Sequence, residues 1–440
     1  MIDLKFLKAN PEIVKENIKK KFQDQKLPLV DEVIALDAEN HQITLDLNKM
    51  RNQRNVLSKE NSKIVGEMKK TEDPAAKADL EKKLEDNKAH VKSLGDDMLA
   101  LEKKQEELSE AIKSRMMVIP NILDDDVPIG KDDSENVEIT KYGEPVVPDY
   151  EVPYHADIMD KFSGLDLDSA RRVSGSGFYY LTGDIARLHS AVLSYARDFM
   201  INKGFTYCVP PFMIHNEVVN GVMSFAEMDA MMYKIEGEDL YLIGTSEHSM
   251  VGRFIGENVA EESLPITLTS YSPCFRKEKG SHGIEERGVY RIHQFEKQEM
   301  VVICHPDERR VWFNKLWQNT VDFFRSLDIP VRTLECCSGD LADLKVKSVD
   351  VEAWSPRQKK YFEVGCCSDL GDAQARRLRF RVAKKDGTKY FANTLNNTVV
   401  APPRMLIAFL ENNYQADGTV LIPKALQPYM GGMTRLVPKQ

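Results

Sequence analysis

The chain has 440 residues, 42% of them hydrophobic and 29% charged, with a formal net charge of −9; this allows two or three domains and at least one substantial core in a globular protein. The N-terminus, MIDLKFLKANPEIVKENIKKK, is charged throughout and lacks the apolar stretch of a secretory signal, and no run of ~18 apolar residues offers a transmembrane helix. The seven cysteines, at 208, 274, 304, 336, 337, 366 and 367, contain no CxxC pair, which argues against zinc-ribbon and thioredoxin-like chemistry and for reduced, buried thiols.

The most regular segment lies between residues 29 and 115. Apolar positions repeat at steps of 4 and 3 through Leu29, Val33, Leu36, Asn40, Ile43, Leu47, Met50, Arg54, Leu57, Asn61 and Ile64. A second strip runs through Leu80, Leu84, Asn87, Val91, Leu94, Met98, Leu101, Gln105, Leu108, Ile112 and Arg115. Between them KKTEDPAAKA contains Pro74, which cannot sit in a helix interior without losing a backbone hydrogen bond. Two heptad strips joined by a short breaker predict an antiparallel coiled-coil hairpin, roughly 54 Å long at 1.5 Å per residue. Antiparallel pairing sets Asn40 opposite Gln105, a polar layer able to fix register. Residues 49–92 carry 12 basic and 8 acidic residues, whereas the flanks 29–48 and 93–115 carry 4 basic and 11 acidic ones. A basic outer half on an acidic chain suits phosphate contact; a solvated or dimerising coiled coil is the competing reading.

Residues 116–175 read as a connection rich in Asp, Pro and Asn. Beyond residue 185 the pattern turns mixed. ARLHSAVLSYARDFMINKG predicts an amphipathic helix stopped by Gly204. Strand-like runs follow in DLYLIGT, PITLTSYSPCF, YRIHQFEKQEMVVI and KKYFEVGCC, with a last helix near RMLIAFLENNYQ. Strands without βαβ alternation predict an α+β domain, a largely antiparallel β-sheet flanked by helices.

The densest polar constellation is PCFRKEKGSHGIEERGVYRIHQFEKQEM, residues 273–300. Two strand-like runs flank a Gly-containing loop, and alternation puts Arg276, Glu278, Phe295, Lys297 and Glu299 on one surface. A guanidinium and a carboxylate there can hold a phosphate and an adenine amino group, and a returning Phe can stack on the base. A half-buried hairpin with cross-strand ion pairs is the plain alternative.

This segment resembles motif 2 of the class II aminoacyl-tRNA synthetases, in particular the seryl form. The match runs through Phe275-Arg276-Lys277-Glu278-Lys279-Gly280-Ser281 and then Arg287-Gly288-Val289-Tyr290-Arg291-Ile292-His293-Gln294-Phe295-Glu296-Lys297-Gln298-Glu299. Further segments resemble the family in its order. GSGFYYLTGDIARL (175–188) is similar to the entry to the catalytic domain, and GFTYCVPPFM (204–213) to motif 1, the dimer-forming segment of class II enzymes. LIGTSEHSM (242–250) is similar to the serine-binding loop, residues 335–377 to the block preceding motif 3, and TLNNTVVAPPRMLIAFLENNYQ (394–415) to motif 3 itself. The heptad hairpin resembles the family's N-terminal tRNA-binding arm.

The resemblance implies a coiled-coil arm over 1–117 and a class II catalytic domain over 118–440. The implied enzyme is an ATP-dependent serine–tRNA ligase, cytoplasmic and homodimeric, acting on L-serine, ATP and tRNA(Ser), with tRNA(Sec) within the family's reach. It implies Arg276, Glu278 and Arg404 as catalytic residues. Arg276 would bridge the serine carboxylate and the ATP α-phosphate, and Arg404 would contact the γ-phosphate. Glu278 would read the adenine amino group, Phe295 would stack on the ring, and the Ile292 backbone would complete the base site. Lys277, Val364, Gly365 and Cys366 would complete the ATP site. Glu363 would bind ATP directly or through Mg²⁺. Thr245, Ser246, Glu247, Arg276, Glu299, Asn396 and Thr398 would hold serine. No general-base triad is needed, because a carboxylate is already a nucleophile and phosphoryl-type transfer is mostly positioning and charge neutralisation.

Two departures stand out. Motif 3 reads Ala-Pro-Pro-Arg without the glycines of many class II enzymes. Cys366 replaces a serine that can help coordinate Mg²⁺, and a thiol is a poor ligand for a hard cation. Two further readings remain: a synthetase-like ligase charging a carrier protein, which the full-length heptad strips oppose, and a non-catalytic synthetase-like tRNA-binding protein, which the presence of Arg276, Glu278, Glu299 and Arg404 opposes.

Overall fold

The computed structural model describes residues 2–278 and 288–438, apart from the side chains of 225 and 226. The middle of the 273–300 segment, with Lys279, Gly280, Ser281 and Arg287, lies outside the described residues. Packing divides the chain into two compact units, one of Asp3–Lys15 and Asp24–Ile119, the other of Met1–Ile2, Glu16–Gln23 and Pro120–Gln440.

The first unit is dominated by two helices, α1 (Leu27–Met68, 42 residues) and α2 (Pro74–Val118, 45 residues). Both exceed the heptad strips read from the sequence, reaching roughly 63 and 68 Å at 1.5 Å per residue. The difference at the turn is Pro74. It sits at the first helical position, where its missing N–H has no intrahelical acceptor to lose, and the Asp73 side chain accepts from Ala75 N at 3.1 Å. Ile43, Leu47, Met98 and Leu108 form one buried cluster of the seam, with Leu36, Met50 and Leu101 packed against it, and Val33, Ile64, Leu94 and Ile112 are buried along the same strips. Ion pairs Glu32–Arg115, Glu39–Lys104, Arg51–Glu102 and Glu60–Lys83 join the helices in antiparallel order. The polar layer differs from the expected Asn40–Gln105 pair. Gln105 Nε2 donates to Thr44 Oγ1 at 2.8 Å, and Thr44 Oγ1 donates to Asn40 O at 2.9 Å. Thr44 lies one turn beyond Asn40 on the same face, and its short hydroxyl needs no long side chain to cross the seam.

In the second unit the sheet strands are β1 (Val137–Tyr142), β2 (Thr206–Tyr207), β3 (Ile266–Phe275), β4 (Gln294–Cys304), β5 (Val331–Glu335), β6 (Lys347–Ser355), β7 (Lys360–Asp369) and β8 (Asn393–Val400). They form one sheet in the order β1-β5-β6-β7-β8-β4-β3-β2. Every neighbouring pair is antiparallel except the edge pair β2–β3. The helices are α3 (Gly183–Asn202), α4 (Ser246–Gly252), α5 (Arg309–Ser326), α6 (Ala373–Leu378) and α7 (Pro402–Asn413), with short further helices between them.

The 116–175 segment holds β1 and two short helices rather than a plain connection. β1 is an edge strand with five of its six side chains exposed, so it carries no hydrophobic alternation by which sequence alone would reveal it. The short segment Glu16–Gln23 is tied into this unit by hydrogen bonds: Asn17 Nδ2 donates to Asn121 O at 2.9 Å, Leu123 N donates to Asn17 Oδ1 at 2.9 Å, and Lys21 Nζ donates to Leu341 O at 2.6 Å.

One sheet face packs against α3, α5 and α7. Leu188, Val192, Phe313, Phe323, Phe324 and Phe409 from the helices meet Met300, Val302, Val349, Val351 and Leu395 from the strands in one buried cluster. Each such side chain contributes about 1.5–3 kcal/mol of burial free energy. With that face committed to the core, alternation turns the other side chains of β4, β7 and β8 toward the opposite face, where the polar residues gather.

Candidate active site

β3 and β4 build the first wall. Their register sets Ser270 opposite Glu299, Ser272 opposite Lys297 and Cys274 opposite Phe295. On β4 the odd positions Phe295, Lys297 and Glu299 face a cavity while Met300 and Val302 face the helices. Glu299 pairs with Thr398 on β8, so Asn396 and Thr398 line the same cavity, whereas Leu395 belongs to the core. Asn397, between them, turns away: its Nδ2 donates to Leu316 O at 3.0 Å and Thr320 Oγ1 at 2.9 Å, anchoring the strand to α5.

β7 adds the last wall by breaking strict alternation. Its register with β6 shifts between Val351 and Glu352, which pair with Gly365 and Glu363 and leave Val364 without a partner. This is a β-bulge. It brings Glu363, Cys366 and Ser368 to the cavity, although 363 and 366 differ in parity. Gly365 eases the packing there, since an added Cβ would come within 3.3 Å of Thr398 O and 3.4 Å of Thr320 Cγ2.

The cavity has a volume of about 380 Å³. It gathers Thr245, Glu247, Arg276, Glu278, Ile292, Phe295, Glu299, Glu363, Val364, Gly365, Cys366, Asn396, Thr398 and Arg404. Two residues singled out in the sequence do not line it. Ser246 is fully buried at the start of α4, and Lys277 contributes a backbone N–H to Met231 O at 2.9 Å. Sequence reasoning passed over His248, Tyr290, Arg291 and Lys345, which also line the cavity.

One part of the cavity is a buried charge cluster. The Glu299 carboxylate accepts from Lys297 Nζ and from Thr245 Oγ1, the latter at 3.3 Å, and Lys297 Nζ reaches Thr398 Oγ1 at 3.4 Å. Burial and then the Glu299 charge push the Glu247 carboxyl up to about 7, against the hydrogen bond it accepts from Gln374 Nε2 at 2.8 Å. Burial and the nearby Arg276 and Lys297 charges push His248 down to about 3, so its imidazole is neutral. Such a cluster suits an ammonium and a hydroxyl: two carboxylates face one lysine.

Elsewhere in the cavity Arg404 Nη1 donates to Glu363 Oε2 at 2.8 Å and to Glu363 O at 3.1 Å. Its guanidinium lies 5.0 Å from the Tyr290 ring centroid. Burial alone would lift Glu363, but Arg404, Lys345 and Arg276 together hold its carboxyl below the usual range. Arg276 Nε donates to Gly244 O at 3.1 Å, and its guanidinium carbon stands 5.4 Å from the Phe295 ring centroid. His293 clasps the Arg276 backbone from both sides: Arg276 N donates to His293 O at 2.9 Å, and His293 Nδ1 lies 3.0 Å from Arg276 O. Glu278 takes a positive φ of 49° and stands 4.0 Å from Arg291 Nη1.

For a divalent ion, the donor chemistry divides. The Glu363 carboxylate suits a hard cation, but the Cys366 thiol, pushed up to about 12 by burial and then by Asp350, does not. These residues fit an ion held through one protein carboxylate together with substrate oxygens, and do not fit a cage made from Glu363 and Cys366.

The arrangement can hold an anionic nucleotide beside a small zwitterion, and comparison with known proteins agrees. The tRNA synthetase class II core domain (G, H, P, S and T) matches residues 232–413, and the seryl-tRNA synthetase N-terminal domain matches residues 1–123. A serine–tRNA ligase of Methanoculleus marisnigri is 38% identical over 440 residues, covering 99% of this chain and 100% of the relative. The seryl-tRNA synthetase of Pyrococcus horikoshii, solved with ATP, superposes with a TM-score of 0.91 at 35% identity over the whole of both chains. The cytoplasmic serine–tRNA ligase of Naegleria fowleri, solved with AMP, gives 0.85 at 31% identity, covering 100% of this chain and 99% of that one. With both the arm and the cavity walls accounted for along its full length, the chain belongs to the seryl-tRNA synthetase family of class II aminoacyl-tRNA synthetases.

Proposed function

We propose that this protein is a serine–tRNA ligase: it activates L-serine with ATP to seryl-adenylate and transfers the seryl group to the 3′ end of tRNA(Ser). The observation that carries this reading is the single cavity in which Arg276 and Arg404 share walls with the Glu299–Lys297–Thr245 cluster. Glu299 and Glu247 receive the serine ammonium, and Thr245, Asn396 and Thr398 surround its hydroxyl. A pocket that bonds that hydroxyl discriminates against alanine, because its buried polar groups would be left unpaired.

In the first step a serine carboxylate oxygen forms a bond to the α-phosphorus, and the bond to the β-phosphate oxygen breaks, releasing diphosphate. Arg276 neutralises the charge that gathers between carboxylate and α-phosphate. Arg404 holds the outgoing phosphates with a planar, permanently charged fork. Phe295 stacks on adenine, with Glu278 and the Ile292 backbone reading its edge. Mg²⁺, when bound with ATP, supplies further neutralisation of phosphate charge, and Glu363 is the side chain that would hold it. In the second step a 3′-terminal ribose hydroxyl of the tRNA attacks the seryl carbonyl and AMP leaves.

The basic stretch over residues 49–92 is the part of the arm that meets the tRNA backbone, and tRNA(Sec) lies within the family's reach as a second acceptor. The active assembly is a homodimer: motif 1 contains the edge strand β2, and Val209 and Met213 beside it are 72% and 49% exposed in the single chain. The seven free thiols suit the cytoplasm. Serine-dependent ATP–diphosphate exchange, followed by charging of bulk tRNA, tests the proposal; absence of serine-dependent exchange refutes it.

A further inference from the structure

Lys345 is a cation for which the family resemblance offers no role. It precedes β6 and lines the cavity with Glu363, Cys366 and Ser368. Its ammonium makes two polar contacts, to Cys366 Sγ at 3.1 Å and Ser348 Oγ at 3.4 Å. Among the described residues no carboxylate forms an ion pair with it. Burial works against the charged form, but the Asp350 charge and the contact with the Cys366 sulfur favour it, so its pKa is raised and it stays an ammonium. A half-buried ammonium in the cavity wall with no carboxylate partner is placed to attract an anion that enters. Of the substrates, the triphosphate carries the larger surplus of negative charge, and the serine carboxylate already has Arg276.

The same ammonium bears on the metal. Cys366 offers a neutral thiol to a hard cation, and a divalent ion placed against this sulfur would meet a positive charge 3.1 Å beyond it.

We propose that Lys345 is a phosphate-binding residue of the ATP site, supplying beside Cys366 the positive charge that a second protein ligand would otherwise recruit as metal, so that nucleotide binding depends less on Mg²⁺. The lysine acts as a point charge on a phosphate oxygen, leaving Mg²⁺ to be held by Glu363 alone among the protein side chains. This rests on the ATP-dependent activity proposed above.

ATP binding by titration calorimetry in EDTA, without divalent ions, tests the charge directly. Wild-type protein is expected to bind, and Lys345→Met to bind at least about tenfold more weakly, with a smaller difference at saturating Mg²⁺. Lys345→Gln gives the same comparison should the methionine variant not fold. In serine-dependent exchange, Lys345→Met should lose rate at low Mg²⁺. The double variant Lys345→Met/Cys366→Ser, which restores an oxygen ligand and removes the repelling charge, should recover rate with a steeper Mg²⁺ dependence. Equal affinity of wild type and variant in EDTA, or no measurable wild-type binding there, overturns the proposal. So does a double variant no better than Lys345→Met. Failure of the wild-type exchange reaction would instead count against the function itself.

Discussion

Replacing Glu299 by glutamine probes the centre of the serine site, because the change keeps shape and removes one charge. The Glu299 and Lys297 side chains are 1% and 8% exposed, so their ion pair lies out of water. Removing one partner of such a pair leaves the other charge uncompensated and costs about 3–5 kcal/mol. Glu299→Gln should therefore lower the stability of the catalytic unit by that order. All three tryptophans, Trp312, Trp317 and Trp354, lie in this unit, so urea unfolding followed by tryptophan fluorescence reports it selectively. Adding Lys297→Met removes the stranded ammonium, while Thr245 can still donate to the glutamine oxygen; most of the lost stability should return.

Serine affinity should behave differently. The charge-assisted bond from the serine ammonium to Glu299 is worth about 1.5–3 kcal/mol, so the KM for serine in diphosphate exchange should rise roughly 10- to 150-fold. That rise should persist in the double variant. The two readouts thus separate fold from function. An unchanged urea midpoint for Glu299→Gln would show that the pair is screened by solvent, and an unchanged serine KM would remove Glu299 from the substrate site.

Two further outcomes are expected. Deleting residues 40–105 should leave serine-dependent exchange largely intact but reduce tRNA charging at least about tenfold, since the arm's phosphate contacts are lost; equal loss of both activities would refute the division of labour. Near pH 6.5 the Glu247 carboxyl, raised to about 7, is mostly protonated. An arriving serine ammonium favours its ionised form, so its pKa falls on binding and a proton is released. Serine affinity should accordingly rise with pH up to about 7 and then level off. Calorimetry in two buffers of different ionisation enthalpy at pH 6.5 reads that proton, and no buffer dependence would disprove the contact.

Much of this protein is legible in local order. The α1–α2 hairpin follows from two unbroken heptad strips, because a helix's buried face is set by neighbours three and four residues away. The 273–300 segment and motif 3 declare their chemistry through dense, mixed residue patterns. Strict alternation places Phe295, Lys297 and Glu299 together, and the structure keeps them so.

Other features depend on partners distant in the chain. β1 is a strand only because β5 offers it hydrogen bonds; its exposed side chains carry no periodic trace. Glu363 and Cys366 share the cavity because β7 bulges at Val364, and the isolated Gly365 was the one available hint of that. Thr44 takes the place of Asn40 at the polar layer because helix–helix registry, not heptad position, decides which hydroxyl meets Gln105. Lys345 carries no motif at all: it sits in the turn before β6, where its N–H donates to Ala342 O at 3.1 Å, and only the folded chain brings its side chain to Cys366 on β7. Periodicity assigns a residue to a face. Which residues from separate strands then meet across that face is a matter of sheet register, and register is a property of the folded chain as a whole.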